Sequence, residues 1–440
     1  MGLSDDRWLP AGTGPLPWGP NPIPSTVVKS PGIRPDTPLL IAAAEAGVEV
    51  IDEAELGWRI DPRPYVGVTG TNGKSTTCEL IHSIFAAIGT SAVVAGNTQF
   101  GPPLSSAPDH NADVVIAELS SFQLECCPRL LPDIAVFTNL THDHIYRHGS
   151  LAEYGACKRR AFMRGDQSVR AAAVGVDQPF GAELADQLEE RGVRVVRFGE
   201  SANADRRLLE ARWSLDTAHL QVKEGRGHRV LETRLPGRHN ALNVVGALAL
   251  SDALEIDPAI ASRAIGTTAR LPGRMEQITG PDGRVALVDY AHNGAGVAYA
   301  LQTARAALDA DGTGGRLHVV VAGLDFLDEQ QGFEIGAAAA RHADSVVLTT
   351  QRWRTSQPFG ELAPGLLAGA SSLASRSVRV EVDRRTAIQL ALTEAGPGDV
   401  LLVLDRGATG GLLFDANDIG RPFDDRKVVR EVLGVHNGEA

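Results

Sequence analysis

The stretch Gly67-Val-Thr-Gly-Thr-Asn-Gly-Lys-Ser-Thr76 gathers the residue types that hold a polyphosphate. Gly70 and Gly73 let the backbone amides around Thr71 and Asn72 turn toward phosphate oxygens, and the helix that opens at Lys74, Ser75 and Thr76 adds its positive end. Lys74 supplies a mobile positive charge, and the Ser75 hydroxyl is suited to Mg²⁺. Val68 stands where the common phosphate-loop pattern has its first glycine, and Gly70 takes over that role one turn closer. The apolar run YVGVT before the loop and the amphipathic stretch after Lys74 give the strand, loop and helix order that such a cradle requires. These residues predict a nucleoside triphosphate site.

The rest of the chain reads as elements that position this loop. Pro and Gly crowd the first twenty-five residues, which predicts an extended arm. From Thr26, VVKS, the helical LLIAAAEAG and VEVID form a small N-terminal unit, punctuated by Pro62 and Pro64. YVGVT, SAVVAG, DVVIAEL and DIAVFTN alternate with helical or loop segments, as in a mainly parallel sheet covered by helices. After Lys158, RFGESANADRRLLEARWSLD and HLQVKEGRGHRVLETRL read as a smaller hairpin-rich part, followed by the helical NALNVVGALALSDALE. A second β/α series starts near Leu271 with VALVDYA, LHVVVAG, DSVVLTT, VRVEVD and DVLLVLD. The predicted organisation is α/β in three units, 1–61, 62–270 and 271–440, with the site in the cleft between the second and third.

Composition narrows the partners. In 440 residues, 43% hydrophobic against 22% charged is enough to bury a large core, which excludes disorder as the main state. The 42 basic and 54 acidic residues give −12, and the chain has no long run of like charge, which argues against nucleic-acid or anionic-membrane binding. Cys78, Cys126, Cys127 and Cys157 include no Cys-x-x-Cys pair, a reduced intracellular usage; Cys126 and Cys127 read as small apolar residues. No signal-peptide pattern and no apolar run of the roughly 18 residues that a membrane span needs is present. A cytoplasmic protein acting on small molecules is expected, and a cleft built within one chain makes a monomer sufficient.

The variant TGTNGKST resembles the ATP loop of the Mur ligase family, and further motifs follow in order. Glu118-Leu-Ser-Ser-Phe-Gln-Leu-Glu125 is similar to a stretch of the D-glutamate-adding branch. Thr138-Asn-Leu-Thr-His-Asp-His-Ile-Tyr-Arg-His-Gly149 is similar to the family's Asp-His segment, closer to the diaminopimelate- or lysine-adding branch. Lys158, Gly237-Arg-His-Asn240, Leu271-Pro-Gly-Arg274 and Asp289-Tyr-Ala-His-Asn293 complete the series. The resemblance implies a three-unit architecture: a shortened N-terminal acceptor unit, a central P-loop ATPase unit and a C-terminal Rossmann-like unit.

It also implies a reaction in which ATP phosphorylates a carboxylate and an amine attacks the acyl phosphate, giving an amide, ADP and phosphate. Two anions must then be held together, which requires cations between them. By resemblance Lys74, Lys158, His144 and Asn97 act in catalysis, and Ser75, Glu118, His144 and Lys158 hold Mg²⁺, with Lys158 carbamylated by CO₂. Asn240, Arg274, Asp289 and His292 would contact nucleotide, while Asn97, Ser120 and Arg354 would contact the organic substrates. His142, Asp143 and His148 read as loop or supporting groups, and a hinge is expected near Arg270.

Two departures bear on the substrates. Only the second half of the D-glutamate-adding branch's N-terminal domain has a counterpart here, from Val27-Val-Lys-Ser-Pro-Gly-Ile33 to Glu55, without the Gly-rich loop that holds a UDP-sugar. In the third unit, Thr350-Gln-Arg-Trp-Arg-Thr355 and Asp405-Arg-Gly-Ala-Thr409 replace the diamino-acid motifs, which disfavours a diamino acid as the amine. The main expectation is therefore an amide ligase acting on a smaller, non-standard carboxylate. The alternatives are a D-glutamate ligase acting on UDP-N-acetylmuramoyl-L-alanine and a non-catalytic nucleotide-binding scaffold.

Overall fold

The computed structural model describes residues 24–312, 314–324, 327–353, 358–373 and 377–435. Most of the arm predicted at the N-terminus lies outside them, as do Arg354 and Thr355.

A nine-stranded sheet dominates the centre. Its order is Gly227–Thr233, Ala218–Glu224, Arg206–Trp213, Arg194–Gly199, Ala171–Gly175, Ile134–Phe137, Tyr65–Thr69, Val114–Glu118 and Ala92–Gly96. All pairs are parallel except the two that join the first three strands. Strand Tyr65–Thr69 is buried at every position, as expected of a parallel strand covered on both faces. Helices Lys74–Ala87 and Arg238–Ala253 cover one face, packing Cys78, Ile81, Val244 and Leu248 on Val66, Val68, Ile116 and Val136. On the other face, Leu124, Tyr154, Leu184 and Leu188 pack on Tyr65, Val115, Ala117 and Phe137.

In residues 194–233, Arg206–Trp213, Ala218–Glu224 and Gly227–Thr233 pair antiparallel in turn, the hairpins expected from the sequence, and Arg206–Trp213 also pairs in parallel with Arg194–Gly199, so the hairpins extend the central sheet. Buried Leu208, Ala218, Leu220, Val222 and Leu231 give this extension an inner face that joins the main core. The register shift between Leu208 and Glu210 breaks the alternation that would have revealed it.

The third unit is a six-stranded sheet in the order Glu276–Thr279, Val285–Val288, Val400–Val403, Leu317–Val321, Ser345–Leu348 and Ser377–Val380, parallel except at the first pair. A buried ion pair anchors it: Arg384 donates two 2.8 Å bonds to Asp425 and one of 2.5 Å to Leu404 O, with all three residues essentially inaccessible. Arg384→Ala would leave Asp425 buried without its cation, and we expect a loss of about 3–5 kcal/mol in denaturant unfolding.

Strands Thr26–Lys29 and Glu49–Asp52 pair in parallel and form the N-terminal unit with helices Pro38–Glu45 and Glu53–Ile60. Arg147 fastens this unit to the centre, donating to the carbonyls of Pro31, Gly32 and Ile33 at 3.2–3.3 Å while its guanidinium pairs with Glu125 at 2.7 Å. Among the described residues no helix is long and apolar enough to cross a membrane. All four cysteines are free.

Candidate active site

The phosphate loop leaves strand Tyr65–Thr69 and enters helix Lys74–Ala87 through two glycines in left-handed or extended-positive geometry, Gly70 at φ +148° and Gly73 at φ +85°. Both are also sterically fixed. A Cβ at Gly70 would lie 1.9 Å from Thr138 Oγ1, and one at Gly73 would lie 2.1 Å from Asn243 Oδ1. The Thr138-Asn139 pair shapes the loop from the next strand: Thr71 N donates to Asn139 O at 2.9 Å, Asn72 N to Asn139 Oδ1 at 3.0 Å, and Thr138 Oγ1 to Asn72 O at 2.8 Å.

A set of hard oxygens meets this loop. Strand Val114–Glu118 delivers Glu118 in a buried position, where Ser75 Oγ donates to its Oε2 at 2.8 Å and Asn97 Nδ2 to its Oε1 at 3.4 Å. Lys158, on helix Leu151–Arg159, is buried; its Nζ donates to Gly70 O at 2.7 Å and lies 4.3 Å from the centre of the Tyr154 ring. Burial, and then the charge of Lys74, drives the Lys158 amine well below the usual lysine range. Lys74 is lowered by burial too, and its Nζ donates to Thr71 O at 2.8 Å.

His144 caps helix Ile145–His148 at φ +55°, a conformation that non-glycine residues rarely adopt. Its ring packs 4.8 Å from that of Phe122, and its buried Nδ1 makes no hydrogen bond among the described residues. Burial pulls its pKa down to about 4, so the ring is neutral near pH 7 and keeps a lone pair for a metal. A buried carboxylate, a neighbouring hydroxyl, an orphaned neutral imidazole and a depressed amine beside a phosphate loop fit Mg²⁺ and a lysine carbamate as donors.

The third unit closes the other side. Arg274 lies 4.3 Å from the Tyr290 ring centre, and His292 Nδ1 is 2.8 Å from Tyr290 O. The Asp289 carboxylate accepts from Met275 N at 2.7 Å and Ala291 N at 2.8 Å, so it shapes the turn that carries Arg274 and His292. Asn240 Nδ2 donates to Pro236 O at 2.8 Å, and His239 beside it stacks on Tyr299 across the units at 6.0 Å. Ser120 forms a capping box with Gln123, which engages its hydroxyl. Arg270 donates to Arg234 O at 2.7 Å and also to Leu215 O and Met275 O, tying the expected hinge segment to both units.

Together these groups line one cleft of about 720 Å³, within the range of small-molecule sites. Lys74, Ser75, Thr76, Asn97, Glu118, Ser120, His144, Lys158, Asn240, Arg274, Asp289 and His292 all face it. Gly70 stands behind it, holding Lys158 through its carbonyl.

Asn293 and Asp143 carry more than their sequence positions suggested. Asn293 caps helix Gly294–Asp311 through Gly296 N at 2.9 Å, while its Nδ2 donates to Asn72 Oδ1 at 3.1 Å and to Asp143 Oδ2 at 3.0 Å. Asp143 Oδ1 in turn accepts from His144 N at 2.9 Å. One amide therefore joins the third unit to both the phosphate loop and the His144 loop. Asn293→Ala should raise KM for ATP about tenfold, with a smaller fall in kcat and a folded protein by thermal melt.

The comparisons with known proteins agree with this geometry. The sequence matches the Mur ligase middle domain over residues 68–251 and the Mur ligase glutamate ligase domain over residues 273–406. It is 31% identical to the UDP-N-acetylmuramoyl-L-alanyl-D-glutamate--2,6-diaminopimelate ligase of Geobacter metallireducens, over 92% of this chain and 85% of that one. It is 33% identical to the UDP-N-acetylmuramoylalanine--D-glutamate ligase of Cereibacter sphaeroides, over 87% and 80%. Among solved structures, the fold matches a UDP-N-acetylmuramate-alanine ligase from Thermotoga maritima with a TM-score of 0.66 at 19% identity, covering 98% of this chain and 86% of that one. It also matches Mycobacterium tuberculosis folylpolyglutamate synthase complexed with ADP and AMPPCP, with a TM-score of 0.63 at 18% identity over 80% and 92%. A phosphate loop faced by a buried carboxylate and hydroxyl, closed by a second unit and matched over both of its domains, places the chain in the Mur ligase family as an ATP-dependent amide-bond-forming ligase.

Proposed function

We propose that the chain phosphorylates a carboxylate with ATP and transfers the acyl group to an amine, and that the carboxylate lies outside the UDP-N-acetylmuramoyl peptides. The observation that carries the chemistry is the Ser75–Glu118 pair at the mouth of the phosphate loop, 2.8 Å apart and buried, with the Lys158 amine held on the Gly70 carbonyl beside it.

Lys74 and the loop amides would hold the β- and γ-phosphates, and Asn97 would orient the acceptor carboxylate. Ser75, Glu118, His144 and a carbamylated Lys158 would hold Mg²⁺, which when bound neutralises phosphate charge and lets two anions approach. Arg274 and His292 reach the nucleotide from the third unit, Asn240 meets its adenosine side, and Asp289 fixes their turn and takes ribose hydroxyls. Cleft closure shields the acyl phosphate from water. Arg354, expected to clamp a substrate carboxylate, lies outside the described residues.

The choice of acceptor is supported by the Ser30–Ile33 loop, whose Pro31, Gly32 and Ile33 carbonyls turn toward Arg147 and are therefore less free for a sugar nucleotide. A second reading, D-glutamate addition to UDP-N-acetylmuramoyl-L-alanine, is favoured by the similarity to the Cereibacter enzyme. The two separate in one assay: protein, ATP, Mg²⁺ and bicarbonate with that nucleotide sugar or with smaller carboxylic acids, each with mixed D- and L-amino acids, analysed by mass spectrometry. The main reading expects products only from the smaller acids. A D-glutamate adduct of the nucleotide sugar would decide for the second.

A further inference from the structure

A second cavity adjoins the active-site cleft on the outer edge of the central sheet. It has a volume of about 380 Å³ and lies between helix Lys74–Ala87 and strand Ala92–Gly96, with residues 98–102 and 110–112 forming its remaining walls. Its size is that of a small-molecule site. Ser75 and Thr98 line both cavities, so the second one begins where the phosphate loop turns into its helix and where the chain leaves Asn97.

Its walls favour an amide-bearing chain over a nucleotide sugar. Strand Ala92–Gly96 is the last of the nine-stranded sheet, so one of its edges has no neighbouring strand. Backbone groups of alternate residues turn to that edge: Gly96 N donates outward to Pro102 O at 2.9 Å, and a Cβ at Gly101 would lie 2.0 Å from Val94 O. Ala92 is in phase with them and lines the cavity, where its edge faces a ligand's amides. Phe100, Pro102 and Leu271 supply apolar surface. Among the described lining residues there is no lysine or arginine, and the fixed charge is the carboxylate of Glu79, which stands 3.9 Å from His82 Nδ1, beyond hydrogen-bond distance. A pyrophosphate here would meet an anion without a matching cation, whereas an ammonium would meet its counterion.

We propose that the carboxylate acceptor is a short peptide, with its reacting C-terminal carboxylate beside Asn97, its body in the second cavity and its N-terminal ammonium at Glu79. This rests on the ligase reading above. Spacing sets the length. Glu79 follows Ser75 by four residues on one helix, a rise of about 6 Å. An extended peptide advances about 3.3 Å per residue, so two residues span the distance. A single amino acid falls short of Glu79, and a third residue carries the ammonium past it toward His82.

Hydroxylamine in place of the amine substrate tests this without knowledge of that substrate. It traps the peptidyl phosphate: a nitrogen–carbon bond forms, the carbon–oxygen bond to phosphate breaks, and the nitrogen gives up a proton. The full chain with ATP, Mg²⁺ and bicarbonate would be offered dipeptides of L- and D-alanine and their N-acetyl forms, and the hydroxamates followed by mass spectrometry. We expect kcat/KM for a free dipeptide to exceed that of its N-acetyl form about fivefold, and Glu79→Gln to bring this ratio to about one. Equal kcat/KM for the two forms, or an unchanged ratio in Glu79→Gln, overturns the proposal. If Glu79→Gln fails to fold, the comparison of free with acetylated dipeptide in the unaltered protein decides. Hydroxamates from single carboxylic acids or from the nucleotide sugar, but not from dipeptides, would retain the ligase and remove the second-cavity site. Should no acid give a hydroxamate, the ligase reading fails, and calorimetric titration with ADP and Mg²⁺ settles the cavity: Glu79-dependent dipeptide binding retains it and no binding removes it.

Discussion

Lys74→Ala should lower ADP formation about a thousandfold or more while leaving the thermal melt nearly unchanged. The side chain contributes little to the fold: Lys74 is half-buried, and its Nζ makes a 2.8 Å bond to Thr71 O, within its own loop. Its value lies in the reaction, where negative charge gathers on the transferring phosphoryl group against a second anion. A fixed cation in a partly desolvated cleft acts on that charge at low effective dielectric, and removing one well-placed stabilising group costs about 10²–10³ in rate even when the group is neutral. Lys74→Arg should recover little, because a planar guanidinium does not replace a compact ammonium in a loop this closely packed. Both variants would be assayed for ADP release under saturating ATP, with circular dichroism and a melt to confirm folding. Turnover of Lys74→Ala within tenfold of the unaltered protein would contradict this role for the loop.

The phosphate loop was legible in the sequence because its information is local. Glycines at fixed spacing, a lysine and a serine between a strand pattern and a helix pattern need no tertiary knowledge, and Gly70 and Gly73 do adopt the positive φ that their type permits. Glu118, His144 and Lys158 are scattered along the chain, and only the family resemblance brought them together; their side-chain types alone are ordinary. Asn293 was missed because its function is a set of bonds across the units to Asn72 and Asp143, and an asparagine at a helix start reads simply as a cap. Arg384 and Arg406 show the same limit from the opposite side. Arginine is ordinarily a surface residue, and nothing in DRRTAI or LDRGAT announces that these two are fully buried. The extension of the central sheet was obscured for a backbone reason, since the register shift near Leu208 breaks the period-two pattern on which strand recognition depends.

Removing CO₂ from the assay should lower activity at least tenfold, and added bicarbonate should restore it, because the proposed site includes a carbamylated Lys158. A carbamate forms when the lone pair of a neutral amine attacks CO₂: a carbon–nitrogen bond forms, one C=O π pair moves onto oxygen and one proton leaves, so the neutral side chain becomes an anion, two protons poorer than the ammonium form. Burial, seconded by Lys74, lowers the Lys158 amine well below the usual lysine range, which enriches the reactive neutral form near pH 7. The amine donates to the Gly70 carbonyl at 2.7 Å and lies over the Tyr154 ring, with Asp143 and Glu118 nearby, so a carbamate there would draw its balancing positive charge from Lys74 and the proposed metal ion. Lys158→Ala should therefore lose activity about a hundredfold or more and become insensitive to bicarbonate, since it cannot form the carbamate proposed to complete the metal site. With ¹³C-bicarbonate, the unaltered protein should show a carbamate resonance that is absent from Lys158→Ala. Full activity in CO₂-free buffer without that resonance would instead make Lys158 a free amine that supports the phosphate loop through Gly70, and the carbamate would be withdrawn from the mechanism.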